Sequence, residues 1–239
     1  MRARAARLSC LLLSVAAATA PAQTTSSAPA APNTLTASEQ AAGWRLLFDG
    51  RTTAGWRGWK QATIPSGWRV VDGALTRVGR GGDIITTQKF RSFELSLEWS
   101  IAPGGNSGIF YRASENDDAI YWTAPEMQVL DDARHADGKS RLTAAGANYG
   151  LHPAPSGIVR PAGQWNRVRL IVNGRKVEHW LNDVRVVQYE FWSPDWEMRV
   201  HGSKFAPHPR YGRNAEGYIG LQDHGDRVAF RSIKIRILP

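Results

Sequence analysis

Nine residues, Phe93 to Ile101, alternate without a break: Phe93, Leu95, Leu97, Trp99 and Ile101 on one side, Glu94, Ser96, Glu98 and Ser100 on the other. A period of two puts the two sets on opposite faces of an extended chain, so this stretch is an antiparallel strand with one buried and one wet face. Such a strand has to hide its apolar face against a second layer. The rest of the chain offers partners of the same kind. Asp72-Gly73 joins Gly67–Val71 to Ala74–Arg77 as a hairpin, and Asn173-Gly174 joins Trp165–Val172 to Lys176–Leu181. Asn182-Asp183 then leads into Val184–Tyr189, and the last strands are Gly217–Gln222 and Val228–Leu238. Helical signals are few. Thr36-Ala-Ser-Glu39 has the spacing of a capping box, and Ser193-Pro194 supplies an N-cap followed by proline before Asp195–Val200. The expected fold is all-β: a two-sheet jelly-roll sandwich with one or two short helices.

The first 22 residues read differently. Arg2, Arg4 and Arg7 precede an apolar run from Leu8 to Ala20, and Ala20-Pro-Ala22 offers a small-residue cleavage site, the pattern of a secretory signal peptide too short to span a bilayer. Cys10, the chain's one cysteine, heads that run, whereas a lipoprotein cysteine would end it. Cleavage after Ala22 therefore leaves no thiol and no disulfide, and an exported product, periplasmic or secreted, is expected. Residues 23–35 form a Ser/Thr/Ala/Pro tract that reads as a flexible linker, and 36–239 as one domain. No later stretch is long and apolar enough for a membrane span. The net charge of +9 includes the three leader arginines, and the remaining basic residues are scattered singly, which argues against nucleic acid as a partner.

Three strands carry an unusual polar phase. In Asn106–Arg112, Asn106, Phe110 and Arg112 share a face opposite Ile109. In Glu126–Val129, Glu126 and Gln128 oppose Met127 and Val129, and in Tyr218–His224, Gln222 and His224 oppose Ile219 and Leu221. With the aliphatic residues inward, amides, a carboxylate, an imidazole and a guanidinium share one outer surface with Phe110, Trp122 and Tyr149. That mixture suits hydrogen bonds to hydroxyls and stacking on sugar C–H faces, whereas a merely solvated face would favour Lys, Glu and Thr. Glu126, His224 and Arg112 are the catalytic candidates, and Asn106, Gln128, Gln222, Phe110, Trp122 and Tyr149 the substrate-binding ones. No residue pattern demands a cofactor. Asp131 and His135 supply ligand types for a divalent cation, but without the spacing of a calcium loop, and an ordinary surface loop is the plainer reading. Glu126, Gln128 and Asp131 also fall at the i, i+2, i+5 spacing of laminarinase-like retaining glycosidases; a glutamine in the middle and a short aspartate at the end make this a poor match.

The ordered motifs Gly43-Trp-Arg-Leu-Leu-Phe-Asp-Gly50, Gly55-Trp56, Trp68-Arg-Val-Val-Asp-Gly73, Asn106-Ser-Gly-Ile-Phe-Tyr-Arg112, Glu126-Met-Gln-Val-Leu-Asp-Asp132, Gly163-Gln-Trp-Asn166, His179-Trp-Leu-Asn182, Gly220-Leu-Gln-Asp-His-Gly225 and Phe230-Arg-Ser-Ile-Lys-Ile235 resemble those of the 3-keto-disaccharide hydrolase family. The likeness runs from about Leu35 to Leu238, with Ser232 standing where the family usually has Asn. It implies a concanavalin A-like sandwich, a carbohydrate substrate with a ketone at C3, and a separate sugar 3-dehydrogenase that makes it. Such a ketone acidifies the C2 hydrogen, so a base can expel the C1 substituent by elimination and water can then add. Glu126 and His224 are candidates for base and acid, and Arg112 or a cation for the enolate. A non-catalytic carbohydrate-binding module and a retaining glycosidase remain the alternative readings.

Overall fold

The computed structural model describes residues 31–239; the leader and most of the expected linker lie outside the described residues. A short helix α1 (Ala37–Ala41) opens the fold, and its capping box is present as read: Thr36 accepts from the Glu39 amide while the Glu39 carboxylate accepts from the Thr36 amide. The strands that follow are β1 (Arg45–Leu46), β2 (Trp56–Gly58), β3 (Trp68–Val71), β4 (Ala74–Arg77), β5 (Ile84–Phe90), β6 (Phe93–Ile101) and β7 (Asn106–Ala113). After a one-turn 3₁₀ helix at Ile120–Trp122 come β8 (Glu126–Leu130), β9 (Asn166–Asn173), β10 (Lys176–Leu181), β11 (Val184–Glu190), helix α2 (Pro194–His201), β12 (Gly217–Leu221) and β13 (Val228–Ile237). Ser193 caps α2 through the Trp196 amide, with Pro194 in the first turn, as expected.

These strands build two antiparallel sheets. The larger runs β11-β10-β9-β6-β13-β4-β3, with β1 also on β13, and the smaller runs β2-β5-β12-β7-β8. The fold is thus the expected two-layer β-sandwich with two short helices. The strand phases decide what lies between the layers. Leu95, Leu97, Trp99 and Ile101 from β6 meet Ile109, Met127, Val129, Ile219 and Leu221 from β7, β8 and β12, all at most 3% exposed. At about 25 cal/mol per Å² of apolar surface, a core of this extent outweighs any surface pairing in holding the layers together. On its far side the large sheet is charged: Glu94 bridges Arg169 and Arg236, and Glu98 pairs with Arg231.

The boundary at residue 36 needs a correction. Asn33 is already part of the domain: its amide nitrogen donates to the Gly73 carbonyl at 2.8 Å, and its side-chain oxygen accepts from the Ser232 amide at 2.8 Å. Ser232 lies in an irregularity of β13 with a positive φ of 53°, so the polar backbone exposed there is satisfied by the incoming chain.

A polar chain crosses the apolar interior. His179 is neutral, its pKa driven down to about 3 chiefly by burial, so its Nδ1–H donates to the Gly146 carbonyl at 3.0 Å. Nε2 is then an acceptor, for the Tyr111 hydroxyl at 2.8 Å, and Tyr189 in turn donates to Tyr111 at 2.7 Å. Tyr111 comes from the small sheet and His179 and Tyr189 from the large one. Gly146 belongs to the segment that pairs with β8, its amide donating to the Gln128 carbonyl. The chain therefore ties the strand bearing Glu126 and Gln128 to the opposite layer. Tyr111→Phe strands an imidazole nitrogen and a buried hydroxyl, a loss of about 1–3 kcal/mol; it is expected to lower the urea midpoint at an unchanged slope in an equilibrium unfolding experiment.

Candidate active site

The outer face of β12, β7 and β8 forms the floor of a cleft of about 430 Å³, lined by Asn106, Tyr121, Trp122, Glu126, Gln128, Tyr149, Lys204, Gln222 and His224. Register explains the convergence. Gly108 lies beside Gln128 and Phe110 beside Glu126, while the Gln222 amide donates to the Gly108 carbonyl. Side chains of one phase thus meet across three strands, as the alternation requires. The floor is polar, and several of its amide atoms are buried. Asn106 Oδ1, both polar atoms of the Gln128 side chain and Gln222 Oε1 are buried without a protein hydrogen-bond partner. A buried amide left unpaired costs about 1–3 kcal/mol, and four such atoms on one concave surface are what a hydroxyl-rich ligand would satisfy.

Glu126 lies over Gly108. A Cβ at that glycine would stand 2.0 Å from the Glu126 Oε1, so only glycine lets the carboxyl lie across β7. Burial lifts the Glu126 pKa to about 8; Lys204 opposes the shift, and the charges of Asp83 and Asp137 add to it. Lys204 reaches in from the loop after α2, its ammonium 4.2 Å from the centre of the Tyr149 ring. Partial burial lowers its pKa, against the pull of Glu126 and Asp137. The Tyr149 hydroxyl donates to Asp137 at 3.1 Å, and its pKa is pushed up to about 12 by burial and then by that carboxylate.

His224 stands at the far corner, in an exposed turn after β12. Asp223 fixes this turn by accepting from Arg77, from the amides of Gly81 and Gly82 at 2.9 Å each, and from Gly225. Asp226 adds a bond from the Asn106 amide at 3.1 Å. Gln222 aligns with Gly108 and Glu126 with Phe110, so Glu126 and Gln222 are two positions apart along the strands and two strands apart across them, roughly 10 Å, with His224 further on in the turn.

Seven of the sequence candidates line this one cleft: Asn106, Trp122, Glu126, Gln128, Tyr149, Gln222 and His224. Four do not. Arg112 sits at a bulge in β7, where the four residues Phe110 to Ala113 face the three from Gly220 back to Tyr218, and it has a positive φ of 53°. The extra residue turns its side chain out of the cleft phase. Its guanidinium donates to the carbonyls of Arg91 and Gly174 and lies over the Phe191 ring, so it cannot serve an enolate in the cleft. Phe110 has the expected phase but is fully buried under Ile120 with Ile85, Ala113 and Ala124. Asp131 accepts from the Gly104 and Ala133 amides, and His135 Nδ1 accepts from the Asp137 amide; both cap turns. Among the described residues no three His, Cys, Asp or Glu side chains cluster as cation ligands. With Asp131 so engaged, the second carboxyl of the retaining-glycosidase template does not line the cleft. Tyr121, Gly108 and Lys204 are the site residues missed. Gly108 lies within a motif already singled out and Tyr121 adjoins the candidate Trp122, whereas Lys204 follows α2 in a loop with no periodicity to mark it.

A β-sandwich with an amide-lined cleft on one outer face suits a hydroxyl-rich ligand, and the relatives of this chain make the class that of the glycosidic-bond hydrolases. Residues 43–236 match the model of the 3-keto-alpha-glucoside-1,2-lyase-like domain, and the chain belongs to that family. A 3-keto-disaccharide hydrolase of Bacteroides thetaiotaomicron is 36% identical over 230 residues, covering 83% of this chain and 79% of that protein. A Parabacteroides distasonis crystal structure, provisionally assigned as a glycosyl hydrolase, superposes with a TM-score of 0.81 at 33% identity over 87% of this chain and all of that one. A second, similarly assigned structure from the same organism gives 0.65 at 29% identity over 82% and 99% of the two chains.

Since Glu126 holds its proton far more tightly when folded than at its ordinary value of 4.5, stability falls as pH rises through the window from 4.5 to about 8. Glu126→Gln removes that cost. Urea unfolding is expected to find the variant more stable than the parent at pH 8, by up to a few kcal/mol, with the gap closing towards pH 4.5.

Proposed function

We propose that this protein cleaves glycosides whose sugar carries a ketone at C3, by elimination followed by addition of water, with Glu126 as the proton-transfer group. The observation that carries this reading is the Glu126 carboxyl: buried, brought to about 8, and set beside the Lys204 ammonium among unpartnered amides. An acid–base group works best with a pKa near the operating pH, and this one can take and return a proton near neutrality. The relative's name, 3-keto-disaccharide hydrolase, supports the same substrate class.

In this proposal ionised Glu126 removes the C2 hydrogen. The C–H electrons form C2=C3, and the ketone oxygen becomes an enolate held by Lys204. As the enolate reverts to C3=O, the electrons move to C1=C2 and the C1–O bond breaks. Protonated Glu126 then passes its proton to the leaving oxygen, which restores the carboxylate. Water adds hydroxyl to C1 and hydrogen to C2, and the net change is hydrolysis. Asn106, Gln128 and Gln222 hold the sugar hydroxyls. His224, at the opposite corner from Glu126, binds the ring as well and is not the proton-transfer partner. The substrate has to be supplied by oxidation at C3, the work of a sugar 3-dehydrogenase. We also infer export to the periplasm or beyond on the strength of the basic, apolar and small-residue succession in residues 1–22.

Turnover of 3-keto-trehalose or 3-keto-lactose, with none of the parent sugar, is the result expected; activity on the parent alone overturns the proposal. Glu126→Gln should abolish turnover, while His224→Ala should raise KM more than it lowers kcat. In the parent protein kcat/KM should rise with pH about a midpoint near 8, as Glu126 ionises. Lys204→Met removes the cation that favours the carboxylate, so that midpoint should move to higher pH, and the lost enolate partner should cut kcat by about 10²–10³.

A further inference from the structure

The two ends of the cleft differ in chemistry. At the Asn106–His224 end the walls are hydrogen-bonding groups. At the Glu126 end the 3₁₀ turn Ile120–Trp122 lies over the strand floor, because Ile120 packs on Phe110 and Ala113. It brings Tyr121 and Trp122 into the cleft lining. Their rings meet edge to face, 4.6 Å between centroids and 68° between planes. The second face of this arrangement comes from a distant part of the chain. His208 stacks on Trp122 at 3.6 Å and 5°, close to parallel, and Phe205 meets the indole edge at 6.4 Å. His208 is held between Pro207 and Pro209, with its amide bonded to Phe205 and its carbonyl to Tyr211. The indole is thus braced on one face. Tyr121, 37% exposed, is one of the few large hydrophobic side chains in the domain left to solvent.

Rings so arranged offer flat apolar area with a fixed direction, which suits the C–H face of a second ring far better than an acyclic alcohol. This deepens the reading above and rests on it. The proton-transfer carboxyl lies at the same end as the aromatic wall, while the ring hydroxyls have their partners at the other. The bond to be broken therefore lies near Glu126, and whatever departs from C1 extends over Tyr121 and Trp122. We propose that Tyr121 and Trp122, braced by the positioning residue His208, form a leaving-group subsite that selects glycosides with a ring-bearing leaving group, a second sugar or an arene, over those with a small acyclic one.

The experiment compares 3-keto-glucosides bearing methyl, glucosyl and 4-nitrophenyl groups. The parent protein should favour the two ring-bearing substrates at least tenfold in kcat/KM, and Tyr121→Ala should collapse that ratio. His208→Ala should raise KM for the ring-bearing substrates with little change in their kcat, and His208→Phe, which restores a flat partner for the indole, should recover it. A ratio unchanged by Tyr121→Ala, or no preference in the parent protein, overturns the subsite. Calorimetric titration with unoxidised methyl and phenyl glucosides reads the same preference without turnover. Tighter phenyl binding that is lost in Tyr121→Ala supports the subsite even if no 3-keto substrate reacts, and equal binding overturns it. Failure of the subsite and failure of the 3-keto chemistry are thereby told apart.

Discussion

The Glu126 carboxyl rests on the bare backbone of Gly108, and much of the cleft follows from that one contact. Any larger residue at 108 would lift the carboxyl into the opening, where water would return its pKa towards the ordinary carboxylate range. Laid flat, it is shielded by the strand beneath and the loops beside it, and the proton becomes hard to remove. The same glycine leaves room between Gln128 and Gln222, whose amides flank it on the adjacent strands. A residue without a side chain therefore shapes the floor more than any that has one. Lys204 then acts on a group already desolvated, where a single nearby charge counts for more than it would in water.

Beneath the cleft, the polar chain from Tyr189 through Tyr111 and His179 to Gly146 ties the segment that pairs with β8 to the opposite layer. Its members are neutral at working pH: burial drives His179 down and Tyr111 far up, so hydrogen bonds rather than charges cross the core. Each bond is worth little alone. Together they fix which way the hydroxyls point, and so exclude alternative packings that an all-aliphatic interior would tolerate. Pre-organised dipoles above such a frame are spared rearrangement when charge develops on a substrate.

How much of this was legible beforehand depended on whether a feature obeyed the strand period. Asn106, Glu126, Gln128 and Gln222 follow an unbroken alternation, so their convergence could be read from residue parity alone. Arg112 fails because a bulge inserts one residue between Phe110 and Ala113, and parity carries no sign of an added residue. Phe110 shows a different limit: its face was right, but the covering turn at Ile120 belongs to tertiary packing. Lys204 reaches the cleft, and His208 the back of Trp122, on a loop from a distant part of the chain that no local pattern announces. Asn33 had the composition of a tether, and its docking arises from an irregularity in β13 some 199 residues away. Asp131 and His135 have the right atoms for a cation, but those atoms accept from the backbone amides of Gly104, Ala133 and Asp137.

The place of β13 bears on how such a chain comes together. It is thirteenth in order yet lies inside the larger sheet, between β6 and β4, with β1 and Asn33 also leaning on it. During vectorial synthesis, β6 and β4 emerge early and wait with open edges and bare apolar faces until the final strand arrives. Pairings of such long sequence separation are slow to form and exposed to misassociation while incomplete. Until Val228–Ile237 has emerged, β6 and β4 each lack the neighbour that joins them, however many of the hairpins have already closed.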